Sequence, residues 1–271
     1  MKNNSLYRPL FAKVVAISLL LVFSPTYSAD LRIYTINEPP LNIVKNNKKE
    51  GITVDVVNEI IRRTNTDAKI EFRPWPRAYS DLLNEKNVVL FSISRTNKRE
   101  HLLKWVGPIA KKNMVLYARR DSNFNIQSLN QAKSMPSILT MRSDSKSQYL
   151  TDKGFTNLVK LPTWEQALLM LATKRGSLLT QSDIDFPVIA KEMNLDSNDF
   201  EPVFTLFSLE TYIGMSNGTS DEVVGKWQKT LEEIKKDGTF AKIVDKWSTY
   251  YNVKQWKINQ GMLVSESTDS N

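Results

Sequence analysis

Phe91-Ser92-Ile93-Ser94-Arg95-Thr96-Asn97-Lys98-Arg99 decides how the rest of the chain is read. Val88–Phe91 is an apolar run of strand type that ends in two hydroxyl residues and then a basic turn. Thr96 has the chemistry of a helix N-cap, which predicts a helix with Asn97, Lys98 and Arg99 in its first turn. Cations there oppose the helix dipole by about 0.3–1 kcal/mol each, so the arrangement asks for a compensating anion. The planar fork of Arg99 matches a carboxylate, and Ser92 and Ser94 can donate from the strand end. The stretch therefore reads either as the floor of a small-anion site or as a solvated basic loop.

Upstream, Leu31–Ile36 alternates as a first strand and is stopped by Asn37-Glu38-Pro39-Pro40-Leu41. A polar loop, Lys45–Glu50, leads to a helix with Val54, Val57, Ile60 and Ile61 on one face, and Ile70–Arg73 forms a second strand. Strand, helix, strand at this spacing predicts a right-handed crossover and a parallel sheet. Ligands of such sheets bind beyond the carboxyl ends of the strands, which makes Trp75 and Arg77 candidate site residues; Glu38 is a further candidate. Trp75 is equally able to cap the core.

Downstream, Met114–Ala118 resumes as a strand, Ser128–Ala132 forms a short helix, and Ser137–Met141 is a strand buried on both faces. Arg142-Ser143-Asp144-Ser145 starts a helix running through Tyr149, and a helix N-terminus is itself an anion site. Leu158–Leu161 is a strand, Thr163 and Gln166 have capping-box spacing, and Ser177–Thr180 passes through Asp183 and Asp185 into a helix near Ile184. An ammonium in a closed cleft needs a carboxylate partner, which either aspartate can supply; both can also simply cap the helix. Val203–Leu206 and Tyr212–Ser216 are further strands. Ser220 caps a striped helix ended by Asp237-Gly238, Thr239 begins another, and 257–271 reads as a disordered polar tail.

Composition narrows the function classes. Lys2, Arg8 and Lys13 precede the apolar run Val14–Phe23, with small residues at Thr26-Tyr27-Ser28, the pattern of a secretory signal peptide over 1–28. Its removal lowers the formal charge from +8 by three cations to +5. That is mildly basic, suits an anionic small ligand and has no Lys/Arg block of nucleic-acid type. The chain has no cysteine, which excludes disulfides, thiolate metal sites and cysteine nucleophiles. His101 is the single histidine and reads as a surface residue rather than part of a triad. No cofactor or metal is expected.

The ordered set Pro39-Pro40, Gly51-x-x-Val54-Asp55-Val56, Trp75-x-Arg77-x-x-x-x-Leu82, Ser92-x-Ser94-x-x-x-x-Arg99 and Gly107-Pro108 resembles the bacterial family 3 extracellular solute-binding proteins. The similarity runs from about Leu31 to Tyr251. It implies an α/β fold of the type II periplasmic-binding-protein class, with two lobes that are each a mixed sheet flanked by helices. Lobe one would be 30–111 with 208–253, lobe two 112–207, and the crossings would lie near 111 and 207.

The resemblance also implies that Arg99, helped by Ser92 and Ser94, forks a ligand α-carboxylate and that Trp75 lines the side-chain pocket. The aspartate expected on the α-ammonium is Asp185 by its distance to Pro187, or Asp183 counted from Gly176. One departure stands out: Ser143-Asp144 replaces the usual Gly-Thr. Asp144 would repel a carboxylate unless Arg142 screens it or Asp144 is only the N-cap. The implied function is a monomeric periplasmic receptor for a small carboxylate, an amino acid first of all, serving an ABC permease. The alternatives are a cleft enzyme of the same fold recruiting Glu38, Asp183 or Asp144, in the manner of cyclic carboxylate dehydratases, and a solute sensor for a membrane receptor.

Overall fold

The computed structural model describes residues 31–45, 47–142 and 144–266; the predicted signal peptide, Ser143 and the end of the predicted tail lie outside them. The first half contains strands β1 (Arg32–Thr35), β2 (Ile43–Lys45) and β3 (Lys48–Glu50), helix α1 (Ile52–Thr64), β4 (Ile70–Phe72), α2 (Trp75–Asn84), β5 (Val88–Ser94) and the long β6 (Leu103–Arg119). Next come α3 (Leu129–Lys133), β7 (Ile138–Met141), α4 (Ser145–Asp152), β8 (Leu158–Leu161), α5 (Trp164–Ala172), β9 (Leu178–Ser182) and α6 (Phe186–Glu192). The long β10 (Phe200–Ser216) returns, followed by α7 (Asp221–Lys236), α8 (Thr239–Tyr251), β11 (Trp256–Asn259) and β12 (Met262–Ser265).

The main sheet runs β4-β1-β5-β10-β6-β9-β7-β8. β1 is parallel to β4 and β5, as the crossover rule requires, and β10 closes that half antiparallel to β5. The other half repeats the scheme, with β7 parallel to β8 and β9 and with β9 antiparallel to β6. β6 and β10 pair antiparallel from Leu103↔Ser216 to Arg119↔Phe200 and so belong to both halves. Two mixed sheets sharing a pair of long strands constitute the expected two-lobe α/β architecture.

Each half has helices on both faces. In the first, α1, α7 and α8 bury Val57, Ile60, Trp227, Leu231, Phe240 and Trp247 on one face, while α2 covers Tyr34 and Leu90 with Ala78 and Leu82 on the other. In the second, period-two alternation along β6 sends Met114, Leu116 and Ala118 to one core and Val115 and Tyr117 to the other. Ile184 and Val188, at the entry to α6, pack into the first half's core, so the halves meet there. The predicted caps at Thr163 and Ser220 form as expected, each accepting from the amide three residues on, and Ser128, expected inside the short helix, caps α3 in the same way. Gly51 precedes α1 at φ 131°, where a Cβ would collide with the Leu41 carbonyl, so the tight approach of the proline turn to α1 requires glycine.

Four expectations change. Thr96 does not cap an α-helix: its carbonyl accepts from the Arg99 amide in a turn, followed by a 3-10 turn at Glu100–Leu102, and β6 begins at Leu103, too soon for a helix to grow. Trp75 and Arg77 lie in the first turn of α2 rather than before it. Lys111-Lys112-Asn113 and the segment between Leu206 and Tyr212 are mid-strand, because the crossings are continuous β6 and β10. The tail is not a disordered segment over 257–266: β11 and β12 form a hairpin, Leu263 pairs with Ala110 of β6, and Trp256 and Leu263 are buried in the first core. Burial of those apolar side chains outweighs the polar composition around them. The final residues, 267–271, are outside the described set.

Candidate functional site

The candidate residues gather around the β5-β10-β6 layer, with Trp75 and Tyr79 of α2 packed on one side of it and Ala110 on the other. Ser94 pairs with Thr211, and Thr211 with Ala110, so the three side chains share a face, and Lys112, two residues along β6, lies on that face too. From strand rise and spacing, the Cα atoms of Ser94 and Lys112 are roughly 12 Å apart, the span of a small organic molecule. Lys111 and Glu210 project to the opposite face, where with Arg95 and Tyr212 they line a polar cavity of about 400 Å³.

Arg99 is brought to the end of β5 by the turn that replaces the predicted helix. Its Nη1 donates to the Ser94 carbonyl (3.1 Å), and its guanidinium lies 5.0 Å from the Trp75 ring centre and 5.1 Å from that of Tyr79. Those rings are stacked, with centres 5.1 Å apart and planes 11° from parallel. The first turn of α2 thus supplies an aromatic platform that orients the fork. The neighbouring Arg95 is neutralised by Glu100 (Nε–Oε2 2.8 Å), whereas Arg99 has no carboxylate partner among the described residues. Of the two arginines in the opening stretch, Arg99 keeps its charge available.

The other candidates fare differently. Ser92 is the extra residue of a bulge opposite Tyr212 and Ile213, held at φ 62°, and its hydroxyl donates to Asn42 Oδ1 (3.0 Å) in a buried bond. Its proton therefore braces the proline turn and is not directed at a ligand. Ser94 is half-buried at the strand end. Arg77 is exposed on α2, and Arg142 is exposed, donating to the Lys160 carbonyl (3.2 Å). Asp144 is the N-cap of α4: Oδ1 accepts from the Ser147 amide (2.7 Å), and Oδ2 is 2.9 Å from Lys146 Nζ. Ser145 is exposed in the first turn. The repulsion expected from an aspartate here is cancelled by Lys146, not by Arg142. Lys146 is buried, and its ammonium lies 4.5 Å from the Trp164 ring centre.

Asp183 and Asp185 separate into distinct roles. Ser182 Oγ accepts from the amides of Ile184 and Asp185 (3.2 Å each), so the serine, not either aspartate, satisfies the turn into α6. Asp183 accepts from the Asn113 amide (3.0 Å) and Nδ2 (2.8 Å). Its pKa is pushed up to about 6 by burial, against those hydrogen bonds and with help from the charge of Asp185.

An acid with a raised pKa favours the folded state most when protonated. Its contribution is complete below the ordinary aspartate value near ~4, and it is lost as pH rises through about 6. The difference amounts to roughly 3 kcal/mol at most. Asp183→Asn is expected to flatten the decline in stability between about pH 4 and pH 7 and to raise the melting temperature at neutral pH. Superimposable pH–stability profiles of variant and wild type would contradict the assignment.

Asp185 is held by Lys112, a residue without any site signature in the sequence. Lys112 is 3% exposed, and its Nζ donates to Glu38 Oε1 (2.7 Å) and Asp185 Oδ2 (3.2 Å), with Asp185 Oδ1 at 3.0 Å. Burial draws the ammonium pKa down, but Asp185 and Glu38 outweigh it and hold the value above that of ordinary lysine. Glu38 is positioned by the proline turn, whose ends exchange backbone bonds between Glu38 and Asn42. The triad joins the first strand's end, the shared strand β6 and the entry to α6. Among the described residues no cluster of metal-ligand type occurs, and no helix is long and apolar enough to cross a membrane.

The model of the bacterial extracellular solute-binding proteins, family 3, matches residues 31–250. The chain belongs to that family. This family 3 protein is also similar in fold to solved structures of low identity. One is a histidine kinase sensor domain with similarity to periplasmic binding proteins (21% identity, 80% of this chain and 95% of the other covered, TM-score 0.70). A second is an ABC uptake transporter substrate binding protein from Streptococcus pneumoniae with bound histidine (15%, 82% and 94%, TM-score 0.67). A third is an ancestral arginine-binding protein bound to arginine (21%, 80% and 97%, TM-score 0.66). No curated protein matches at significant similarity. The family and these neighbours are named for binding or sensing rather than turnover, and solute binding is the role this family 3 protein has.

Proposed function

We propose that the protein is an extracytoplasmic receptor that captures a small carboxylate in the cleft between its lobes and delivers it to an ABC importer. The observation that carries this reading is Arg99: a guanidinium half-buried on the Trp75–Tyr79 pair, without an acid partner among the described residues, at the end of β5. A carboxylate accepting both prongs of that fork makes charge-assisted bonds roughly twice as strong as neutral ones. With lobe one as 30–111 and 208–253 and lobe two as 112–207, a solute touching Arg99 and the α4 and α6 entries favours the closed state through its differential contacts. The reading takes 1–28 as a cleaved signal peptide, the periplasm as the compartment, and a monomer without cofactor as the working form. The histidine-bound transporter component among the fold neighbours supports the importer. The sensor domain supports a second reading, in which the closed form docks on a membrane receptor instead.

The test is a thermal-shift screen of protein refolded to strip carried-over ligand, against amino acids, di-acids, polyamines and cyclic carboxylates. Binding to the native state alone stabilises by RT ln(1 + [L]/Kd), about 2.7 kcal/mol at a hundredfold excess over Kd. A carboxylate in the screen is expected to raise the melting temperature. A response confined to polyamines would remove the reading. Slow disappearance of an added carboxylate in the presence of the protein would point to an enzyme instead.

A further inference from the structure

We infer that the end of the ligand remote from Arg99 is a primary carboxamide, read by Asp144 and Lys146 at the start of α4. The inference rests on the carboxylate-receptor reading above and specifies its ligand class.

The two lobes repeat one scheme. The sheet order is β4-β1-β5-β10 in the first and β8-β7-β9-β6 in the second, three parallel strands and then an antiparallel one in each. The carboxyl ends of β1, β4 and β5 lead to Glu38, Trp75 and Arg99, and those of β7, β8 and β9 lead to Asp144, Trp164 and Asp185. Glu38 and Asp185 share the Lys112 ammonium, so these two edges face each other. Trp75 is the first residue of α2 and Trp164 the first of α5. Each has a cation against its ring, Arg99 at 5.0 Å and Lys146 at 4.5 Å from the ring centre. Lys146 on Trp164 is thus the lobe-two counterpart of the Arg99 anchor.

Asp144 gives that counterpart a different chemistry. Its side chain is 9% exposed and that of Lys146 10%, so the pair is buried. Oδ1 accepts from the Ser147 amide (2.7 Å) and caps the helix. Oδ2 lies 2.9 Å from Lys146 Nζ but off the line of a hydrogen bond, and it is buried without a hydrogen-bond donor among the described residues. A buried carboxylate oxygen in that state is destabilising until a donor reaches it. The ammonium carries three N–H groups, more than one carboxylate oxygen and one ring face can occupy.

Hydrogen-bond complementarity then selects the ligand group. A carboxylate accepts from Nζ but has nothing to donate to Oδ2. An ammonium donates to Oδ2 but accepts nothing from Nζ. A primary carboxamide does both, its oxygen accepting from Nζ while its N–H donates to Oδ2. Nζ and Oδ2 stand side by side, as the oxygen and nitrogen of one amide do, whereas a hydroxyl must serve both from a single atom. The complementary solute places its carboxylate on Arg99 and its carboxamide on the Asp144–Lys146 pair.

The experiment measures binding by calorimetry of wild type and Asp144→Asn, each refolded free of ligand. The probes are matched amides and acids: L-glutamine against L-glutamate, L-asparagine against L-aspartate, glutaramate against glutarate, and succinamate against succinate. The expected result for wild type is binding by one or more of the amides, about tenfold or more tighter than by the matched acid. Asparagine keeps the helix cap but puts a donor where Oδ2 stood, so in Asp144→Asn the preference is expected to shift toward the acid. An acid that binds wild type as tightly as its amide overturns the inference and leaves the carboxylate receptor standing. So does tighter binding by a carboxylate with no amide, such as 3-phenylpropionate or lactate. Failure of every carboxylate to bind wild type removes the receptor reading and the inference together. The wild-type comparison alone decides these outcomes, so poor folding of the variant does not protect the proposal.

Discussion

Arg99→Ala is expected to lower affinity for the bound carboxylate by more than a hundredfold while leaving the melting temperature of the unliganded protein nearly unchanged. Truncating one partner of a buried, hydrogen-bonded charge pair costs about 2–5 kcal/mol of binding, much of it from stranding the other charge. The fold loses little, because Arg99 contributes one bond to the Ser94 carbonyl and a cation–π contact with Trp75 and Tyr79. A half-buried contact of that type is worth about 1 kcal/mol. Arg99→Lys should fall between the two, since an ammonium keeps the charge but cannot fork a carboxylate. Calorimetric titration of the three proteins with the carboxylate found by screening, beside their unliganded melting curves, separates binding from folding. An affinity within threefold of wild type in Arg99→Ala would end the assignment of the anion site.

The second large effect concerns stability. Lys112→Met is expected to destabilise the protein by roughly 3–5 kcal/mol at neutral pH, the range for breaking a buried ion pair by removing one partner. At about 2–4 °C per kcal/mol for a domain of this size, the melting temperature falls by roughly 10 °C. Without the ammonium, Glu38 and Asp185 face each other in a site where Lys112 is now only 3% exposed. Two adjacent carboxylates repel each other there once the cation between them is gone.

Protonation at low pH relieves that repulsion, so the gap to wild type should narrow under acidic conditions. Adding Asp185→Asn to Lys112→Met should recover part of the loss, because it removes the unpaired charge that the first substitution left. The two changes are coupled, and their effects should not add. Chemical denaturation at three pH values measures all of this. A Lys112→Met variant within 1 kcal/mol of wild type at neutral pH would mean that the triad does not hold the lobes.

Much of the chain was legible from local pattern. The caps at Thr163 and Ser220, the striped helices α1 and α7, and the parallel β1-β4 and β1-β5 pairs all follow from short-range rules, and all are present. The charged middles of β6 and β10 were not legible: Lys111-Lys112-Asn113 has no strand signature, and only pairing with β10 on one side makes it one. The terminal hairpin failed for a similar reason, since Trp256 and Leu263 find their core in residues far back along the chain.

Arg99 as a candidate anion anchor, Asp144 as a helix cap, and the order of strands and helices were written into neighbouring residues, because hydroxyls, forks, caps and periodicities act over a few positions. Which charges neutralise which was settled by folding. Lys112 meets Glu38 and Asp185 across separations of 74 and 73 residues, Lys146 turns inward to screen Asp144, and Arg95 rather than Arg99 finds Glu100. Electrostatic partnership depends on distance and burial in space, and neither is recorded in the spacing of residues along the chain.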